Sequence, residues 1–170
     1  MKKLCITFGL ILIIVLTAIL LQGSGEKTEY LRIHIRANSN AQMDQDIKYK
    51  VKDLVVTYLT PIIENARTKN EAIDKIKNAE SAVNGLIDRF LYENGFNYKS
   101  NIKVKKEDFP TRVYDDLVLE AGTYDAVIIN LGSGSGDNWW CVVYPPLCFT
   151  EGEVTYRSLI ADFLSKLQGD

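Results

Sequence analysis

Leu31, Ile33 and Ile35 alternate with Arg32, His34 and Arg36, and a period of two is the pattern of a strand buried on one face. Ala37-Asn38-Ser39-Asn40 then offers side chains that favour turns and helix N-caps. From Ile47 the period changes. Ile47, Val51, Leu54, Val55, Tyr58 and Ile62 fall on one stripe of an amphipathic helix. Pro61 is expected to kink or end it near Leu59, because proline has no amide proton to donate and crowds the preceding turn. Thr68-Lys69-Asn70-Glu71 has the form of a capping box and opens a second helix. Its stripe is Ile73, Ile76, Ala79, Val83, Leu86, Ile87, Phe90 and Leu91, and Asn94-Gly95 supplies a left-handed stop.

Beyond that stop the period returns to two. Phe96, Tyr98, Ser100, Ile102 and Val104 alternate with Asn97, Lys99, Asn101, Lys103 and Lys105. Leu117 to Leu119 and Tyr124 to Leu131 read as further strands, the latter apolar on both faces and therefore central. Trp139 to Tyr144 follows a glycine loop, and Ser158 to Leu167 reads as a short terminal helix. The order of elements predicts an α+β fold: a mainly antiparallel sheet covered on one face by two long helices, plus the short C-terminal helix.

Residues 1–25 stand apart from this domain, which spans 26–170. Lys2 and Lys3 precede an uncharged run from Leu4 to Leu21, the layout of an export signal. Eighteen apolar residues are also near the minimum for a membrane span. Cleavage after Gly25, which releases the domain, and retention of residues 4–21 as a membrane anchor both fit. Without the leader's two lysines, 18 basic side chains face 22 acidic ones. The excess is uneven: residues 26–106 carry a net charge of +4 and residues 107–170 a net charge of −8. Such an asymmetry can orient a protein at a surface or partner, whereas the acidic half argues against nucleic-acid binding.

Chemistry has few candidates. Cys141 and Cys148 are the cysteines of the exported part. Outside the cytoplasm an even count reads as a disulfide, the alternative being two buried thiols. The separating segment can turn back on itself at Pro145-Pro146. Gly132-Ser133-Gly134-Ser135-Gly136 precedes a strand, whereas a dinucleotide fingerprint needs a helix there, so the loop is expected to be a flexible hairpin connection. His34 is the single histidine. Alternation with two arginines places it on a polar face, as a solvated residue. Asp115-Asp116 point to opposite faces if they lie in a strand, and no metal-ligand spacing occurs. Neither a metal nor a small-molecule cofactor is expected. Trp139 and Trp140 project to opposite faces. One meets the helices, and the other is expected beneath the glycine loop or Pro145-Pro146, the alternative being exposure to a partner. Arg32 and Arg36, together with Lys99, Lys103 and Lys105, would form one basic docking face if their strands were neighbours, suited to an anionic leaflet or acidic loop.

Leu31-Arg32-Ile33 running into Ala37-Asn38-Ser39, Asp46, Phe109-Pro110-Thr111-Arg112-Val113-Tyr114, and Asn138-Trp139-Trp140-Cys141-Val142 leading to Pro145-Pro146-Leu147-Cys148-Phe149 together resemble the stage II sporulation protein R family over about residues 30–150. The resemblance implies a protein made in the forespore and exported to the space between forespore and mother-cell membranes. There it would activate a membrane-embedded aspartic protease of the mother cell that cuts the sigma-E precursor, acting as a signal and not an enzyme. It implies no catalytic residues. Asn38, Ser39, Arg112, Asn138, Trp139 and Trp140 become candidates for partner contact or for fold. The glycine loop lacks the basic residue expected in that family, so it is assigned no charge-based role. An exported cell-envelope hydrolase using Asp115 or Asp116, with Arg112 steering an anionic substrate, is the alternative.

Overall fold

The computed structural model describes residues 30–114 and 117–148. The leader, the Asp115-Asp116 pair and the expected helix at 158–167 lie outside them. In chain order the elements are β1 (Leu31–Arg36), α1 (Gln42–Ile63), α2 (Lys69–Glu93), β2 (Ser100–Phe109), β3 (Arg112–Tyr114), β4 (Leu117–Leu119), β5 (Gly122–Leu131) and β6 (Asn138–Tyr144).

The main sheet has the order β2-β5-β1-β6, and β3 and β4 form a separate hairpin. β5 pairs antiparallel with β2 over ten residues, and β1 pairs antiparallel with β6. The central β1–β5 pair is parallel, with Ile33 opposite Val127 and Ile35 opposite Ile129. The fold is α+β with a mixed sheet, which corrects the antiparallel expectation at its centre. Parallel neighbours need a long crossover, and the whole stretch from α1 to β4 separates β1 from β5.

Both helices pack on one sheet face. Ile47, Val51, Val55 and Leu59 of α1 and Ile76, Val83, Ile87 and Leu91 of α2 share a buried core with Ile33, Ile35, Val127, Ile129, Cys141 and Val143. Fully burying one such aliphatic side chain contributes about 1.5–3 kcal/mol. Leu54 and Leu86 close the seam between the helices. Pro61 lies within α1, and the helix continues to Ile63, with Glu64 N–H bonded to the Thr60 carbonyl at 2.9 Å. So close to the C-terminus, the proline leaves the last bond intact, and the helix outruns the expected stop at Leu59. Thr68 accepts from the Glu71 amide at 3.2 Å, but the Glu71 carboxylate accepts from Arg67 N–H, one residue upstream of the usual box partner. Gly95, at φ 83°, lets Phe96 N–H reach the Leu91 carbonyl at 3.0 Å.

β2 is an edge strand, and α2 occupies its outward amides. Glu80 accepts from Val104 N–H at 3.0 Å, Asn84 from Ile102 N–H at 3.3 Å, and Asp88 from Ser100 N–H at 2.6 Å. Four residues of helix rise about 6.0 Å and two residues of strand about 6.6 Å. One side chain per helical step therefore serves every second strand amide, which blunts the edge against further strand pairing.

The glycine loop is not a hairpin. β5 and β6 lie on either side of β1, so residues 132–136 arch over the C-terminal end of β1. Gly136 N–H bonds the Ala37 carbonyl at 2.9 Å, and Ser133 Oγ bonds the Asn38 carbonyl at 2.6 Å. A Cβ on Gly136 would strike the Ser39 carbonyl, and one on Gly132 would strike the Asn38 side chain.

Candidate partner-binding site

Two groups of family-motif residues stand at different places on the sheet. The first lies where β1 turns into α1. Asp44, nearly buried, accepts Asn38 Nδ2 at 3.0 Å and Ser39 Oγ at 2.6 Å on one carboxylate oxygen, and Tyr98 Oη at 2.7 Å on the other. Burial opposes its charge, but the bonds from Ser39, Tyr98 and Asn38 prevail and hold its carboxyl below the ordinary range. Burial and then the Asp44 bond push the Tyr98 phenol upward. Asn38 Oδ1 also accepts from Ser133 N–H at 2.9 Å. Lys48, buried, donates to Gln45 Oε1 at 2.6 Å and to the Asp137 carbonyl at 3.2 Å. Asn38 and Ser39 thus have their polar groups turned into the turn and the arch.

The second group occupies the sheet face away from the helices. Phe109, Tyr124, Ala126 and Ile128 are buried there, with Tyr30 and Trp140 packed against them. Arg32 is 0% exposed, its guanidinium carbon 4.1 Å from the Phe109 ring centre and 4.8 Å from that of Tyr124. Its Nη2 donates to Tyr114 Oη at 3.1 Å, while Nε and Nη1 have no hydrogen-bond partner among the described residues. The Phe109 and Trp140 rings meet edge to face at 4.9 Å, and the Arg112 guanidinium lies 5.3 Å over Trp140. Trp140 is partly covered by these groups. Trp139 packs against the helix-side core, 5.9 Å from Lys52 Nζ. Asn138, opposite Arg36, closes the far end of β6.

His34 is wholly buried on this second face, not solvated as alternation suggested. It stacks on Phe109 at 5.5 Å and meets the edge of Trp140 at 4.6 Å. Burial and then the Arg36 charge lower its pKa to about 4, against the pull of Glu107, whose Oε1 lies 3.7 Å from Nε2. Glu107 also pairs with Arg36 and, at 3.1 Å, with Lys105. Burial resists ionisation of Glu107, but Lys105, His34 and Arg36 keep its carboxyl below the usual range.

The single basic face does not form. β5 separates β1 from β2, Arg32 is buried, Arg36 is partly covered against Glu107, and Lys99, Lys103 and Lys105 stay exposed. Sequence reasoning did not find Phe109, Tyr114, Tyr124, Glu107, Asp44 or Tyr98 as members of these sites. Phe109 and Tyr114 stood inside a quoted motif, and that was their one signal. Cys141 and Cys148 are joined in a disulfide across a Cα–Cα distance of 6.3 Å.

A mixed four-stranded sheet with helices on one face, an arginine–aromatic tier on the other and a disulfide from edge strand β6 to the segment that follows it defines a small α+β domain stapled at its edge. Residues 27–154 match the stage II sporulation protein R family, and the chain belongs to it, which gives it a role in sporulation. It is 34% identical over 121 residues to stage II sporulation protein R of Bacillus subtilis strain 168, covering 71% of this chain and 54% of that relative. The matched stretch therefore spans about half of the relative's length. No solved structure matches.

Proposed function

We propose that this chain is an exported signal that crosses from the forespore into the intermembrane space. There it activates, by binding, the membrane-embedded aspartic protease of the mother cell that processes the sigma-E precursor. The observation that carries this reading is membership of the stage II sporulation protein R family. An activator of this kind needs only to bind the active state of its target more tightly than the inactive one. The surroundings of His34 suit this reading, since a buried imidazole with its pKa near 4 is a poor general base at neutral pH.

Half-exposed Arg112, Asn138, Trp139 and Trp140 are the proposed partner contacts. Asn38 and Ser39 would act by holding the β1–α1 turn. Membrane attachment would come from residues 4–21 if the leader is retained.

The test is sigma-E precursor processing in sporulating cells lacking their own copy of this protein, with this chain expressed only in the forespore. Rescue by the full chain and loss of rescue without residues 1–25 is the expected result. Absence of rescue despite demonstrated export would overturn the proposal.

A further inference from the structure

The sheet ends in two unlike edges. At β2 the outward amides of Ser100, Ile102 and Val104 are already bonded to α2. β6 is the other edge, and two bonds fix the direction of its backbone groups. Ala37 N–H reaches the Asp137 carbonyl at 3.4 Å, so residue 137, and in step with it Trp139 and Cys141, turns toward β1. Strand residues alternate in direction, which sends the N–H and C=O of Asn138, Trp140 and Val142 outward. In agreement, the Val142 carbonyl accepts Leu147 N–H at 3.5 Å from that side. The returning segment carries Pro145 and Pro146 and is tied down by the Cys141–Cys148 bridge, so it blocks the edge at Val142. Asn138 and Trp140 lie beyond the block. Both are half-exposed, and their outward backbone groups have no partner among the described residues.

We propose that the Asn138–Trp140 edge takes an extended segment of the partner polypeptide as a further strand beside β6, with an acidic side chain opposite Trp140 and apolar ones on either side of it. A row of outward N–H and C=O groups is complementary to another strand. The flanking side chains choose its sequence. A residue paired with Trp140 points to the same sheet face as that ring, where the Arg112 guanidinium lies 5.3 Å away and its Nε has no partner among the described residues. Positive charge there selects an acid. The neighbours of that acid point to the helix side, beside Trp139, where Lys52, the cation over that ring, is paired with Asp53 at 2.5 Å. An apolar side chain suits the indole. The proposal rests on the reading of this chain as a binding signal for the identity of the partner, and names how the contact is made.

The experiment uses the full chain in detergent micelles and, as probe, a short peptide alternating glutamate with valine. The peptide should slow amide hydrogen exchange at Asn138 and Trp140 about tenfold and leave Ile102 and Val104 unchanged. A peptide with lysine in place of glutamate should not slow it. Asn138→Pro removes one outward N–H that β1 does not use, and should weaken peptide binding about tenfold relative to Asn138→Ala, which keeps that N–H. Should the proline variant fail to fold, exchange in the wild type decides alone. No slowing at Asn138 and Trp140, or equal slowing by the lysine peptide, overturns the proposal. So does slowing that grows with protein concentration in the absence of peptide, which would assign the edge to a second copy. Failure of rescue in sporulating cells refutes the signalling role and leaves these exchange results standing, so the two readings fail separately.

Discussion

Tyr98 donates its hydroxyl proton to Oδ1 of Asp44 at 2.7 Å, while Asn38 and Ser39 share the other carboxylate oxygen. This one carboxylate ties the end of β1, the first turn of α1 and the approach to β2. Asp44→Ala leaves three donors short of an acceptor and should cost about 2–4 kcal/mol in urea unfolding, against about 1 kcal/mol for Tyr98→Phe. Because the Asp44 pKa is lowered on folding, its contribution is present above the unfolded value near 4 and fades as pH falls through the folded value. The stability gap between wild type and Asp44→Asn should narrow in acid.

His34 gives a pH dependence in a different window. Its folded pKa is about 4, below about 6.5 in an unfolded chain. Between those values the unfolded state binds the extra proton, so stability is lost as pH falls from about 6.5 to about 4. The full effect is about 3 kcal/mol. Urea titrations of wild type and His34→Asn across this range should show that slope in the wild type and a flatter line in the variant.

The Glu80, Asn84 and Asp88 ladder predicts a change in association more than in fold. Each alanine substitution should cost about 1 kcal/mol. All three together free the edge of β2, and sedimentation velocity should show concentration-dependent oligomers absent from wild type.

Two glycine substitutions should act in opposite directions. Gly136→Ala drives a methyl into the Ser39 carbonyl and should lower the melting temperature by several degrees, as about 1–3 kcal/mol does in a domain of this size. Gly85→Ala, within α2 and with open space at its Cβ, should raise stability by about 0.5–1 kcal/mol. Calorimetry of the two variants checks the pair.

The leading strand, both helices with the Thr68 cap and Gly95 stop, the central β5 and the pairing of the two cysteines were all legible. Each depends on neighbours a few residues apart, or on a run of apolar side chains that has one low-energy disposition. Pro61 was misread by one turn because helix ends depend on which carbonyls still find donors. The motif residues were legible as a group, but not as divided between the turn around Asp44, the aromatic tier of Phe109 and Trp140 beside Arg32 and Arg112, and, for Trp139, the helix-side core.

The sequence by itself determined the periods, the caps, the uneven charge and the family, because those are properties of residue types at fixed spacing. Tertiary structure alone decided that β5 sits between β1 and β2, that the glycine loop is an arch over β1, and that Arg32 and His34 are buried. Alternation distinguishes the two faces of a strand without saying which of them is wet. Here Phe109, Tyr124 and Trp140, brought together from the three strands β2, β5 and β6, make the basic face of β1 an interior one.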